Sequence, residues 1–522
     1  MIIGIDFGTC FSNVAIMRGN IPSVTYIDQY KQNDLGIPSL IRCDDGDFLY
    51  GLECLAYNDD NNIKDLKSQI RQFGTGRKVE FRNNRQFSLK EIAEKYIGYL
   101  IDIIQKAARD SGEFDNIEIE EVTITAPVGI ANKQLSATLY VEMLSDILAN
   151  ITGLQKNKIH ILHEPVAAAI SYLNSTANKE NNQTILVFDL GGGTLDVSVV
   201  EYDRNNDSIL GQYSVKAKNG DLNLGGNDWD DRLAHLVLQK AALEEELSEE
   251  EQIDFAESIR ELKHKLSKNV CDAVVFKAGK NYKTISVDRG EFEVATKELL
   301  EQAKKLTRKT VDAYMNNGGK QINKIILVGG SSKMPQIIDG IRNQFEEIAS
   351  QNIIVHDPSN AICKGAGIFA KIHSYVTDTA PHTYGFKARN STTGQEEIYN
   401  LLFRGDKFDE SGFIRKRSET TVFSPTEDDQ TVVSFKAYES DAALTDCRDN
   451  WLEFSNGERS NGIEVKLPIP ENCLGHARQF KLYPEFVLDY NGILVLNIYN
   501  QQGELIGTGK TCCDVDIQNI DN

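Results

Sequence analysis

Apolar residues along this chain gather into short runs that end on glycine, and two of these runs nearly repeat one another. Ile3-Gly4-Ile5 delivers Asp6 to Phe7-Gly8-Thr9-Cys10, and Val187-Phe188 delivers Asp189 to Leu190-Gly191-Gly192-Gly193-Thr194, with Leu195-Asp196 following. A second apolar run returns each time, Val14 to Met17 and Val197 to Val200, so each segment predicts a β-hairpin with a polar tip. Ile325-Ile326-Leu327-Val328 is a third buried-strand run, ending on Gly329-Gly330-Ser331-Ser332 and leading into a helical stretch, Met334 to Phe345, with Pro335 near its start. Helical periods also cover Lys90 to Asp110, Asn132 to Asn150, Asn227 to Leu247, Glu250 to Lys268 and Lys297 to Asn316. From Asp378 the texture changes to β-like runs broken by Gly, Asn, Asp and Pro: Glu397 to Phe403, Glu419 to Phe423, Gln430 to Tyr438, Gly462 to Leu467, Phe480 to Leu488 and Ile493 to Tyr499. These predict a β-sandwich. Gly507-Thr508-Gly509-Lys510-Thr511 is similar to the tail of a P-loop, but Glu504 stands where the first glycine belongs and no helical pattern follows, so a terminal strand is expected.

The hairpin tips carry chemistry as well as turns. Glycines let backbone approach a ligand and aim successive N–H groups at an anion, while the Asp side chains can hold a hydrated cation beside it. Magnesium with a polyphosphate suits that combination. Two copies imply an internal duplication, with two α/β lobes facing each other across a cleft. The third strand, its Gly-Gly turn and the helix start after it offer bare backbone to a nucleoside.

In this order and spacing the segments resemble the heat-shock protein 70 chaperone family (DnaK-like), within the actin and sugar-kinase superfamily. The resemblance rests on the first hairpin with Asp6 and Thr9, Asp65-Leu66-Lys67, Ala126-Pro127-Val128, His163-Glu164-Pro165-Val166-Ala167-Ala168-Ala169-Ile170 and Asp189 to Asp196. It continues through Leu224-Gly225-Gly226-Asn227-Asp228-Trp229-Asp230, Val328 to Pro335 and Lys364-Gly365-Ala366. It implies an α/β two-lobed, actin-like ATPase domain of duplicated ribonuclease H-like lobes over residues 1–374, a linker at 375–381, and an all-β sandwich for polypeptide over 382–522. Phe423, Leu467-Pro468-Ile469-Pro470 and Leu488-Asp489-Tyr490-Asn491-Gly492 are similar to that family's peptide-binding β-domain.

The same resemblance implies roles. Asp6, Asp189 and Asp196 would hold Mg2+ through its waters, and Lys67, Glu164, Thr194, Asp6 and Asp189 would form the catalytic set, with Lys67 against the γ-phosphate. ATP or ADP would lie on Gly8, Thr9, Cys10, Phe11, Gly191, Gly192, Gly193, Thr194, Gly225, Gly226, Lys263, His264, Ser267, Gly329, Gly330, Ser331 and Lys333. Pro127 and Pro165 would carry the nucleotide signal outward. Four features depart from the family: His264 replaces an arginine that stacks on adenine, Arg260 replaces a glutamate, Leu135 an arginine and Ser359 an aspartate. Ser374 to Pro381 lacks the Leu-rich acidic linker, and after Asp514 too little chain remains for a helical lid, so either a lidless member or a shortened chain is expected.

Composition narrows the partners. A net charge of −21 and pI ≈ 4.9 argue against nucleic acid or anionic membrane. Nine scattered cysteines without Cys-x-x-Cys spacing read as reduced thiols, and with neither a signal segment nor a spanning run the expected location is cytoplasmic. The function expected is a slow ATPase that binds unfolded polypeptide, with a J-domain co-chaperone and a nucleotide-exchange factor as further partners. The alternatives are a nucleotide-gated scaffold with a degenerate peptide cycle and an actin-like filament protein.

Overall fold

The computed structural model describes residues 1–24, 36–44, 47–57, 62–81, 85–112, 114, 116–127, 137–175, 182–205, 212–221, 223–243, 247–316, 318–373, 380, 382–409, 413–440, 460–489 and 493–512. The first predicted hairpin is β1 (Ile2–Asp6) and β2 (Phe11–Arg18), extended by β3 (Ile21–Val24). On the other side of β1 lie two parallel strands, β4 (Glu121–Ala126) and β5 (Ile159–His163), which gives the order β5-β4-β1-β2-β3. The second predicted hairpin is β6 (Asn182–Leu190) and β7 (Leu195–Asp203), extended by β8 (Tyr213–Asp221). Parallel to β6 run β9 (Lys324–Val328) and β10 (Ile353–Val355), so the order is β10-β9-β6-β7-β8. The two sheets therefore share one topology. Asp6 opposes Asn13 at the tip of the first hairpin, and Asp189 opposes Asp196 at the tip of the second.

Helices cover the sheets because their apolar stripes need a face to bury. In the first lobe α1 (Leu66–Phe73), α2 (Leu89–Ser111) and α3 (Ala137–Thr152) share a core with Ile3, Ile5, Val122 and Ile124. The start of α2 is set by a capping box between Ser88 and Glu91. In the second lobe α5 (Gly226–Ala241), α6 (Glu249–Leu266) and α7 (Lys297–Asn316) pack on Leu186, Phe188, Val197 and Leu327, and α8 (Pro335–Gln344) follows β9. Between the lobes, α4 (Glu164–Ser175) and α9 (Ala361–His373) share a third core with Ile2 and Met17 of one sheet and Ile185, Val187 and Ile326 of the other. The predicted helix Asn227 to Leu247 stops early, at Ala241, because Ala242 turns into the left-handed region at φ 44°. The predicted start of α3 at Asn132, and Leu135, lie outside the described residues.

After α9, β11 (Thr383–Arg389), β12 (Glu396–Leu402), β14 (Val432–Ser440) and β15 (Ser460–Pro468) form one antiparallel sheet, in the order β12-β11-β14-β15. A second comprises β13 (Phe413–Arg417), β16 (Tyr483–Asp489), β17 (Ile493–Tyr499) and β18 (Leu505–Cys512). Tyr384, Phe386, Phe435, Phe486 and Leu496 fill the core that both sheets share. The Gly507–Thr511 segment is the middle of β18, paired with β17. The predicted strand Glu419 to Phe423 is a correction: the strand lies earlier, at β13, and Ser418 Oγ donates to the Thr421 carbonyl at 2.5 Å, closing a turn that leaves Phe423 a single bridge to Leu482. Of the predicted linker only Ala380 is described, buried, with its N–H on the Asp406 carbonyl.

The sandwich touches the first lobe through α3. Val141 is buried with Ile493, flanked by Ile161 and Val495, and Lys510 Nζ lies 2.6 Å from both carboxylate oxygens of Glu142.

Candidate functional site

The hairpin tips meet in the cleft. A Cβ on Gly192 would lie 2.5 Å from Cys10 Sγ, so only glycine lets the second tip approach the first this closely. Gly329 takes φ 79° and would set a Cβ 2.3 Å from the Leu190 carbonyl oxygen, which holds the turn after β9 against the second hairpin. Ser331 Oγ donates to the Gly191 carbonyl at 2.9 Å, and the N–H groups of Gly226 and Asn227 donate to the Gly191 and Gly192 carbonyls at 2.9 and 2.7 Å. Three glycine elements far apart in sequence thereby form one wall.

They line a cavity of about 600 Å³. Its first charged group is Asp6, Lys67, Glu164, Asp189 and Asp196, with Gly8, Thr9, Cys10, Phe11, Gly191, Gly192 and Thr194 around it. Its second comprises Asp230, Glu257, Arg260, Glu261, Lys263 and His264, near Gly329, Gly330 and Ser331. Five residues expected at the nucleotide do not line the cavity. Gly193, Gly225 and Gly226 sit in the packing behind it, where Gly225 caps α5. Ser267 Oγ donates back to the Lys263 carbonyl at 3.0 Å, and Lys333 Nζ to Ser359 Oγ at 3.2 Å. Pro127 and Pro165 are buried, at the end of β4 and in the first turn of α4, away from the lining.

Lys67 is buried, and its ammonium is ion-paired to the buried carboxylate of Glu164. Burial works against that charge, but Glu164, Tyr140 and Asp6 more than offset it and hold Lys67 above the usual lysine range. Burial raises the Asp6 carboxyl to about 7, with Glu164 adding to the rise and Lys67 and the Thr125 hydroxyl opposing it. Asp189 is pushed well above the carboxylate range, first by burial, then by Glu164, Asp196 and Asp6. Asp196 is raised by burial, against Arg71. Four carboxylates, Asp6 and Glu164 buried and Asp189 and Asp196 half-buried, share one ammonium, with Arg71 acting on Asp196, and form a site short of positive charge. Among the described residues no three His, Cys, Asp or Glu side chains converge closely enough to grip an ion directly. The residues that could face a hydrated cation such as Mg2+ are Asp6, Asp189 and Asp196, whose negative charge it would offset.

In the second group Lys263 Nζ donates to Asp230 Oδ2 and the Gly226 carbonyl, both at 2.8 Å. Burial, then Lys263, Arg260, Lys333 and Lys268 lower the His264 imidazole to about 4 and keep it neutral. Cys10 sits between the groups, its thiol raised to about 11 chiefly by burial. Sequence reasoning did not assign Asp230, Thr125 or Tyr140 to the site. Asp230 stood inside a quoted motif. Tyr140 gave no signal, since an aromatic in an apolar helical stripe reads as core; its hydroxyl is buried beside Lys67 and Glu164 without a hydrogen-bond partner among the described residues.

Comparison with known proteins points to one family. The family described as Hsp70 protein matches residues 2–455. The chaperone protein DnaK of Halobacterium salinarum is 26% identical over 470 residues, covering 85% of this chain and 66% of that protein. The DnaK proteins of Mycoplasma mobile and Guillardia theta are 25% and 24% identical over 526 and 546 residues, covering 97% and 98% of this chain and 77% and 78% of theirs. The chain thus spans 66% of the length of the Halobacterium relative. With a match over most of its length, the chain belongs to the Hsp70 protein family.

Proposed function

We propose that the chain binds ATP or ADP with Mg2+ between the lobes, hydrolyses ATP slowly, and binds extended polypeptide through its β-sandwich as a chaperone-like protein. The observation that carries the reading is the set of Asp6, Glu164, Asp189 and Asp196 around the buried Lys67, lining one cavity with the two glycine-rich tips. Amide groups at those tips suit phosphate oxygens. Asp6, Asp189 and Asp196 would hold the hydrated ion, whose contribution is to neutralise charge between phosphates. Lys67, fixed by Glu164, is a preorganised cation for the charge that develops on the transferred phosphoryl group. Thr9 and Thr194 offer hydroxyls to phosphate or to the attacking water. Family membership and the named DnaK relatives support the chaperone part, with J-domain and exchange-factor partners proposed on the same footing. A reducing location such as the cytoplasm suits the free Cys10, Cys54, Cys271, Cys363 and Cys473, and among the described residues no helix is long and apolar enough to cross a membrane.

Titration calorimetry tests the central claim. ATP and ADP should bind with Mg2+ and much less tightly in chelator, and Asp189→Ala should weaken only the metal-dependent part. Folded protein that takes up neither nucleotide would overturn the reading.

A further inference from the structure

Outside the Asp6–Lys67 group and the hairpin tips, the buried and half-buried polar side chains that line the cavity are already engaged within the protein. Lys263 Nζ is held by Asp230 Oδ2 and the Gly226 carbonyl, and the other Asp230 oxygen is enclosed in the wall, beyond a ligand's reach. Ser331 Oγ donates to the Gly191 carbonyl and Ser39 Oγ to the Gly8 carbonyl, both at 2.9 Å. Asn13 Nδ2 donates to the Ser359 carbonyl at 3.0 Å, while the Ser359 hydroxyl receives Lys333. Asp65 accepts from the Cys10 thiol at 3.9 Å, and the exposed Asn227 donates to the same sulfur at 4.0 Å. The polar groups that remain on the lining, Lys64, Glu257, Arg260 and His264, are exposed, as is Glu261, which pairs with Lys265. The rest of the surface is apolar, with Pro38, Leu40, Leu52, Leu55 and Ile362 facing the space.

A site tells one base from another through buried polar groups that the right base satisfies and the wrong one leaves unpaired, and such sites separate analogues by roughly ten-thousandfold or more. Among the described residues no lining side chain is placed to do this, whichever wall the base takes. Exposed side chains merely exchange water for the base, at little net gain. Apolar surface and the His264 ring can hold a base by its face, which every base offers alike. Resting on the proposal that nucleotide phosphates occupy the hairpin tips, we propose that the cavity takes nucleoside di- and triphosphates without regard to base, guanine, cytosine and uracil nucleotides on the same footing as adenine ones. Selection lies in the phosphates, and the chemistry at Lys67 does not involve the base.

The test is calorimetric titration of the full chain, in Mg2+, with ADP, GDP, CDP and UDP. The four affinities should fall within roughly tenfold of one another, the purines ahead through their larger stacking face. His264→Ala should weaken ADP and GDP by the same factor. If ADP binds and any of the other three is weaker by more than that tenfold, a contact reads the base, and the inference is overturned while the nucleotide reading stands. A loss in His264→Ala confined to ADP would overturn it as well. If none of the four binds, the nucleotide reading fails and this inference falls with it.

Discussion

Lys67 and Glu164 are each other's neutralising partner in a buried place, so removing one harms the other. Lys67→Ala should cut single-turnover ATP hydrolysis by roughly a hundredfold while ADP affinity changes little, because a fixed cation acts mainly on the transition state. It should also cost about 3 kcal/mol of stability, since Glu164 is left charged and unpaired. Adding Glu164→Gln should recover much of that stability and none of the turnover, and an unchanged turnover rate would assign Lys67 a packing role. Asp6 sets a pH dependence. Its folded value, about 7, lies above its unfolded value near 3.8, so its contribution to stability is complete below pH 4 and is lost as pH rises through 7. Melting of the nucleotide-free, metal-free protein should therefore fall across that window, by up to roughly 4 kcal/mol at 1.36 kcal/mol per unit, and Asp6→Asn should flatten the profile. Lys67 was legible in sequence because Asp65-Leu66-Lys67 is a local pattern. Thr125 and Tyr140 were not, because what gives them a role is a neighbour more than fifty residues away.

Among the elements, the repeated hairpins and the long helices were legible, since a glycine-ended apolar run and a 3.6-residue stripe are both local signals. The strands that escaped have weak alternation. Phe413-Ile414-Arg415-Lys416-Arg417 shows two apolar residues followed by three cations, whereas Thr420-Thr421-Val422-Phe423 looks more strand-like yet begins in a turn closed by Ser418. Packing against Phe486 and Leu488 decides the matter, which no short window contains. The meeting of the hairpin tips yields its own prediction. Gly192→Ala should push its methyl onto Cys10 and lower MgADP affinity roughly tenfold, about 1.4 kcal/mol, and Cys10→Ala in the same chain should restore most of it. Calorimetry on the wild type and the two variants checks this, and undiminished binding by Gly192→Ala alone would mean the tips tolerate separation.

At the scale of the molecule, the seating of the sandwich on α3 had no sequence signal, as Val141 and Ile493 lie in different domains and each reads as ordinary core. The Lys510–Glu142 pair is exposed and worth less than about 1 kcal/mol alone. Glu142→Lys should nonetheless loosen the seat by placing like charges together, seen as faster trypsin cleavage between the domains, and the swap Glu142→Lys with Lys510→Glu should reverse it. Equal cleavage rates in all three proteins would show that the apolar contact alone holds the domains. One helix thus serves two masters at adjacent positions: Tyr140 stands beside Lys67 and Glu164, while Val141 and Glu142 bear the sandwich. A rigid turn cannot yield on one side and stay still on the other. If a ligand in the cleft shifts that turn and an occupant of the sandwich shifts the seat, linkage requires each to change the other's affinity by the same factor.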